Sequence, residues 1–390
     1  MTLTCVEWLV LGSLPRLGLV RLAALRQQNP PWPTGWLAHM PTAAATALRL
    51  WLDHPKRSPL YASVQNALEW EAAGLDHHLL SPEHPCWPAL LEQIADPPAV
   101  LWALGDINVL PSPKLAIVGS RRPTREGLLS AKSFASAAAG RGWCIASGMA
   151  LGIDGVAQQA ALDAGGASIA VLPGGVDVIY PPRHAGLYQR LQRENGLIVA
   201  ERPPGYKPYP GDFPRRNRIV TGLSCGVLVV EAAEQSGSLI SARLALEQGR
   251  EVMALPGSIH APQSRGCLHL IRQGAALVRD MDDVIEALSG WGPRLGHAAF
   301  IERAEDEAAD SWGGGTVRAS QKDNDEASRH ARAMEASSPL LRWLSQTPTP
   351  VDVLIELAGC DVATCQRELT QLEMEGLVAL VPGGWVRQAA

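Results

Sequence analysis

Between residues 114 and 278 short apolar runs recur, separated by longer segments of helical spacing. The runs fall at 115–118, 144–146, 169–172, 197–200, 227–230, 252–255 and 275–278, with helical stretches that include 126–140, 153–164 and 239–249. Each run is short, rich in valine and alanine and bounded by turn residues, as expected of strands buried on both faces of a parallel sheet. Strands alternating with helices predict an α/β fold, a doubly wound, mostly parallel sheet with right-handed crossovers.

The flanks read differently. Residues 4–75 are helical in pattern, with LPRLGLVR at 14–21 joining two apolar stretches through a Pro/Gly turn. A helix-hairpin-helix module whose turn glycine grips phosphate has this pattern, and so does a plain helical adaptor. Prolines at 82, 85, 88, 97, 98, 111 and 113 punctuate an irregular connector over 79–113. Residues 290–336 are mixed in charge, Gly-rich and poor in apolar positions, which predicts a flexible linker. The tail shows helical patterns at 339–344, 351–357 and 363–375, then a hairpin around Pro382-Gly383-Gly384, together a winged-helix pattern. Its candidate recognition helix sets Arg367 against Asp361, Glu368, Glu373 and Glu375, so it reads as a protein-contact or packing module, not a groove reader. The expected domains are 1–78, helical; 79–289, the sheet with its connector; 290–336, the linker; and 337–390, winged-helix-like.

Composition narrows the function classes. A net charge of −5 argues against indiscriminate coating of nucleic acid but leaves room for a local basic patch. Only five of the 34 basic residues are Lys, and Arg, Ala, Gly and Pro are abundant together. That bias suits a GC-rich coding sequence, so the position of an arginine has to carry any phosphate claim. The seven cysteines are scattered without C-x-x-C, pointing to a reducing cytoplasm with neither a disulfide frame nor a zinc site. No secretory signal and no membrane-spanning run is read from the pattern.

Ligands of open parallel sheets bind outside the carboxyl ends of the strands. There the sequence places Gly119-Ser120-Arg121-Arg122, Ser147-Gly148, Pro173-Gly174-Gly175, Glu231 followed by Ser236-Gly237-Ser238, and Pro256-Gly257-Ser258. Glycines permit close approach, serines and helix N-termini donate to phosphate, and arginines neutralise it. Residues 213–232, FPRRNRIVTGLSCGVLVVEA, supply Phe213, Arg215, Arg216, Asn217 and Arg218 just ahead of an apolar helical turn. Those guanidiniums are read as exposed loop charges holding successive phosphates, since Arg offers a planar fork of donors. A dinucleotide site is not expected, because G-x-G-x-x-G and the later acidic residue are missing. A P-loop is ruled out by the absence of any Gly-Lys pair. No cofactor and no metal are expected, and no catalytic residue is assigned.

LAIVGSR at 115–121, ASGMALGID at 146–154, Tyr180-Pro181, FPRRNR at 213–218, VEA at 230–232, SGS at 236–238 and LPG at 255–257 together resemble the DNA-processing protein DprA (Smf) family. The resemblance implies an extended Rossmann-like core that binds single-stranded DNA, forms a homodimer and loads the RecA recombinase in natural transformation or homologous recombination. It implies an optional N-terminal helical domain and a C-terminal winged-helix-like domain as well. By the same resemblance the DNA contacts are Gly119, Ser120, Arg121, Arg216, Asn217 and Arg218. Two positions depart from the family pattern: Gln158 stands for a usual His and Leu268 for a usual Asn. The competing reading is a nucleotide-binding or nucleoside-monophosphate phosphoribohydrolase-like enzyme, for which Glu231 is the one carboxylate suitably placed as a base. Against it, Pro173-Gly174-Gly175 continues as Val176-Asp177, without the Gly-Thr and the Glu of such enzymes.

The composition of 290–336 generates a first prediction. Limited proteolysis should release a core ending near residue 290 and a small tail of about fifty residues. First cuts within 114–288 would contradict the division.

Overall fold

The structure, a computed structural model, describes residues 2–291, then 340, 344 and 349, and the stretches 351–358, 361–374, 377–381 and 384–387. Its main sheet is built from β1 (His77–Leu80), β2 (Leu101–Gly105), β3 (Lys114–Val118), β4 (Cys144–Ser147), β5 (Ser168–Gly175), β6 (Gly196–Arg202), β7 (Gly226–Val229), β8 (Glu251–Ala254) and β9 (Ala276–Leu277). The strand order is β1-β2-β6-β5-β4-β3-β7-β8-β9. All neighbours from β6 to β9 run parallel, while β2 is antiparallel to β6 and β1 to β2. A mostly parallel, doubly wound α/β sheet is therefore the observed fold, and each expected strand is present within a few residues.

The helices are α1 (Cys5–Ser13), α2 (Leu19–Gln28), α3 (Thr34–His39), α4 (Thr42–Asp53), α5 (Tyr61–Ala72), α6 (Ala89–Glu92), α7 (Arg125–Gly140), α8 (Ile153–Asp163), α9 (Ala185–Arg193), α10 (Asp212–Gly222), α11 (Gly237–Glu247), α12 (Arg265–Arg272) and α13 (Met281–Leu288). Period-two alternation along the strands sorts side chains to two covered faces. Leu115 and Ile117 pack with Ala131 and Phe134 of α7, Ile153 of α8 and Val284 of α13. Ala116 and Val118 point the other way, into the layer of Ile219 and Val220 of α10, Ala242 of α11 and Leu270 of α12. Burial on both sides is why these strands read as continuous apolar runs.

The connector is the first correction. Residues 79–113 are not simply irregular, because they supply half of β1 and all of β2. The proline spacing hides two strands that are too short to show alternation. Trp102 of β2 pairs with Ala200 of β6, so this antiparallel pair extends the parallel sheet at one edge. β1 opens at His77, and the expected boundary between residues 78 and 79 therefore cuts a strand. Leu79, Ala99 and Val100 join Trp8, Leu11, Leu48 and Val64 in the core of the helical region, so sheet and helices share apolar contact through the connector. The entry to α1 is locked by a capping box between Thr4 and Glu7.

The expected linker also loses its first residues to the core. Trp291 is buried, with the Arg250 guanidinium 5.4 Å from its ring centre. Residues 292–336 lie outside the described residues, as does the expected helix at 339–344 apart from Leu340 and Leu344.

The contact pattern assigns the C-terminal residues to a second unit. It contains α14 (Val351–Ala358), α15 (Val362–Met374) and the antiparallel pair β10 (Val378–Val381) and β11 (Gly384–Arg387) around Leu354, Leu369, Leu372 and Val378. The Asp361 carboxylate accepts from the Thr364 N–H at 3.1 Å, capping α15.

Candidate nucleic-acid interface

Strand order reverses between β4-β3 on one side and β7-β8 on the other, which places a crevice between the carboxyl ends of β3 and β7. Gly119, Ser120 and Arg121 leave β3 there. The Ser120 hydroxyl accepts from the Arg122 N–H at 3.1 Å, and the Ser120 carbonyl accepts from Ile153 N–H at 3.2 Å, so the turn is tied to the start of α8. Arg121, Arg122 and Arg125 are exposed. None of the three forms an ion pair among the described residues. Arg121 instead lies over the Phe213 ring, 5.9 Å from its centre, and Phe213 meets Tyr180 edge-on at 5.1 Å. An unpaired cation and two aromatic rings therefore converge at the crevice from β3, from α10 and from the loop after β5.

The arginines of α10 behave differently from expectation. The sequence reading placed them ahead of a helix, but the helix starts at Asp212, with Pro214 tolerated in its first turn. Helical spacing then turns Asp212, Arg216, Ile219, Val220 and Leu223 toward the sheet and leaves Pro214 and Arg215 outward. Arg216 is 7% exposed; its Nη1 donates to the Gly148 carbonyl at 2.7 Å and also to the Val171 carbonyl. Burial pushes its pKa down to about 10, with Asp154 opposing the fall and Arg121 adding to it, so it stays charged at neutral pH. Nε of Arg216 has no partner among the described residues. Arg218 is 4% exposed and pairs with Asp96 at 3.0 Å and with Glu201. Arg215 is half exposed and contacts Glu201 at 3.3 Å. Asn217 stays partly exposed, with no side-chain hydrogen bond among the described residues. Arg216 and Arg218 are thus interior charges, not exposed loop charges.

Several expected phosphate donors are also committed internally. The Ser147 hydroxyl, fully buried, donates to the Ile117 carbonyl at 2.6 Å. The Gly148 N–H donates to Asp154 at 3.1 Å. A Cβ on Gly148 would stand 2.4 Å from Nη2 of Arg216, so only glycine admits the guanidinium. Burial raises the pKa of Asp154, while Arg216 and then the Ser147 and Gly148 hydrogen bonds pull it down. Pro173-Gly174-Gly175 is not an open turn: it continues β5, is buried, and donates from Gly175 N–H to the Tyr206 carbonyl at 2.9 Å. Ser236 caps α11 through the Ser238 N–H, and the two hydroxyls bond each other at 2.6 Å; Ser238 is buried and Gly237 exposed. Gln158, where the family pattern has His, is buried and donates to the Ile169 carbonyl at 3.1 Å.

Glu231, the one candidate base, accepts from Thr124 N–H at 3.0 Å and from the Thr124 hydroxyl, and does not meet Arg218. Among the described residues no group of three or more His, Cys, Asp or Glu could hold a metal ion, and no helix is long and apolar enough to cross a membrane. Sequence reasoning missed Tyr180 and Arg125 as crevice-side groups, and Asp96, Glu201 and Asp154 as the carboxylates set among the α10 arginines. Tyr180 and Asp154 lay in quoted motifs, whereas nothing local marks Asp96 and Glu201, which come from distant elements.

Taken together, the topology and the basic turn define a Rossmann-like domain with a cationic crevice at its switch point. A family model for DNA recombination-mediator protein A matches residues 78–289, and one for the DprA winged helix domain matches 326–384. Protein Smf of Escherichia coli (strain K12) is 40% identical over 328 residues, 83% of this chain and 81% of that protein. DNA processing protein DprA of Bacillus subtilis (strain 168) is 44% identical over 209 residues, 53% of this chain and 69% of that protein. The X-ray structure of DNA processing protein A from Streptococcus pneumoniae aligns with a TM-score of 0.59 and 32% identity, covering 73% of this chain and 98% of that one. The chain belongs to the DprA (Smf) family of DNA-processing proteins.

The burial contrast among the arginines generates the second prediction. Arg216→Ala should cost about 3–5 kcal/mol of stability, because it leaves the Gly148 and Val171 carbonyls and Asp154 without their cation. Arg121→Ala should stay within about 0.5 kcal/mol of the parent. Urea unfolding followed by circular dichroism decides it, and equal midpoints for parent and Arg216→Ala would refute the assignment.

Proposed function

We propose that this chain binds single-stranded DNA along the carboxyl edge of its sheet, protects it, and hands it to the RecA recombinase during transformation or homologous recombination. The observation that carries the reading is Arg121, exposed and without a carboxylate, stacked over Phe213 beside Tyr180. A cation for the backbone next to aromatic faces for bases is the combination that single-stranded nucleic acid uses. Arg122, Arg125 and Asn217, with the Gly119-Ser120 turn, lie at the same edge or on the element carrying Phe213, and they extend the path. A rigid duplex suits such a crevice less well than one flexible backbone.

Arg216 and Arg218 enter this reading as supports: they set the position of Phe213, Asn217 and the Gly148 turn. Ser147 and Gly148 act in the same way. Ser236 and Gly237 stand at the same sheet edge and remain candidate contacts, while the Ser238 hydroxyl is committed to the cap. The protein acts without catalysis, since the Glu231 carboxylate is engaged by Thr124. A homodimer, delivery to RecA and a cytoplasmic location are part of the proposal through the family. So is the domain division, moved so that β1 and Trp291 belong with the sheet.

Fluorescence anisotropy with labelled oligo-dT across salt tests the reading. Arg121→Ala should weaken binding and shallow the slope of log K against log salt by about 0.7, the release from one single-strand phosphate. Phe213→Ala, checked for folding, should cost about 1–3 kcal/mol, the loss of one stacked base. Parental affinity and salt slope in both variants would sink the reading. Incubated with nucleoside monophosphates, the parent should release no free base above a blank; turnover abolished by Glu231→Gln would favour the hydrolase instead.

A further inference from the structure

We infer that Glu231 is a specificity-determining residue: its carboxylate occupies the place at the N-terminus of α7 where a nucleotide phosphate would sit, and so closes that place to phosphate monoesters. Parallel sheets of this topology present the first helix after the central strand to the switch-point crevice, with free N–H groups that attract anions. Here that helix is α7, sixteen residues long, capped by Thr124 and following the β3 turn.

The place is already filled. Glu231 leaves the end of β7 and is 9% exposed. One oxygen accepts from the Thr124 N–H at 3.0 Å, and the other accepts from the Thr124 hydroxyl. That hydroxyl in turn accepts from the Gly127 N–H at 3.1 Å, so the carboxylate is wired to two amides of the helix entry, one directly and one through Thr124. Gly127 completes the fit. A Cβ there would stand 2.4 Å from the carboxyl carbon of Glu231 and 2.5 and 2.9 Å from its oxygens. The glycine therefore clears a space the size of a carboxylate, and the glutamate fills it. The carboxylate is an anion held by helix-entry donors in a fitted, largely buried space, and its oxygens stand where the anionic oxygens of a terminal phosphate would be held.

The consequence for recognition rests on the single-stranded DNA reading above. With α7 closed by an internal anion, ligand phosphates meet the outer groups of the sheet edge, Arg121 and Arg122 first among them. Exposed arginines bind a strand by adding many contacts along it, and offer a lone phosphate monoester little. Glu231 thereby selects continuous strand over mononucleotide.

Inorganic phosphate is the probe. Its binding is to be measured by calorimetry on the full chain at constant ionic strength, for the parent, Glu231→Ala and Glu231→Ser. The serine variant keeps an oxygen near Thr124 should the alanine variant fold poorly. Both variants should bind phosphate roughly tenfold or more tighter than the parent, as expected of an opened helix N-terminus. Adding Gly127→Ala to Glu231→Ala should abolish the gain, because the methyl group takes the vacated space. Deoxythymidine monophosphate should compete with oligo-dT in the variants and not in the parent. Folded variants that bind phosphate no better than the parent would overturn the inference, as would a gain that survives Gly127→Ala. Neither outcome touches oligo-dT binding by the parent, so failure here and failure of the DNA reading are separable.

Discussion

Arg216 reaches from α10 to the carbonyls of Gly148 and Val171, and the upper face of the sheet depends on that reach. Two neighbouring strands lie there: β4 ends just before Gly148, and β5 runs on past Val171 to Gly175. A single guanidinium joins both to the helix that carries Phe213 and Asn217. Burying it is expensive, because a charge leaves water and Nε finds no partner among the described residues. Two carbonyls and the field of Asp154 offset that cost. The neighbourhood is closed on itself: Asp154 holds the Gly148 N–H, and Gly148 must lack a side chain to admit the guanidinium. Changing one member leaves a buried polar group of another without a partner.

This closure sorts the basic residues of the crevice into two kinds. Arg216 and Arg218 spend their hydrogen bonds inside, on carbonyls and on Asp96 and Glu201. Arg121 and Arg122 spend none on carboxylates and stay in solvent. A chain of net negative charge can then offer a positive edge, because its interior arginines are neutralised locally and the outer ones are not. The interior set fixes geometry and the outer set provides attraction.

Much of the fold was legible because burial on both faces leaves an unmistakable run at each parallel strand, and β-α alternation admits few topologies. β1 and β2 were not legible. At four and five residues among prolines they carry no period, and only pairing with β6 makes them strands. Site residues were legible as a neighbourhood, not as roles. F-P-R-R-N-R announces a cationic segment, yet which arginine faces in depends on where α10 starts, and a helix beginning at Asp212 in place of a loop turns Arg216 inward. Ser147 and Pro173-Gly174-Gly175 lie packed and hydrogen-bonded within the fold, for a related reason. Tight packing at strand tips asks for small residues just as phosphate does, and sequence cannot separate the two demands.

The same ambiguity bears on Glu231. An acidic residue after a central strand of a Rossmann-like sheet reads from sequence as a base or as a partner for arginine. Among the described residues it meets no arginine, and its oxygens face the entry of α7 and the bare Cα of Gly127. On the inference drawn above, what separates a nucleotide site from an edge for a DNA strand here is whether the helix entry is vacant. An internal carboxylate faces the positive end of the helix and engages two of its entry amides, one directly and one through Thr124, without a ligand. On the proposed reading, recognition then moves outward to a turn where arginines and aromatic rings meet solvent, a surface suited to a ligand longer than the crevice itself.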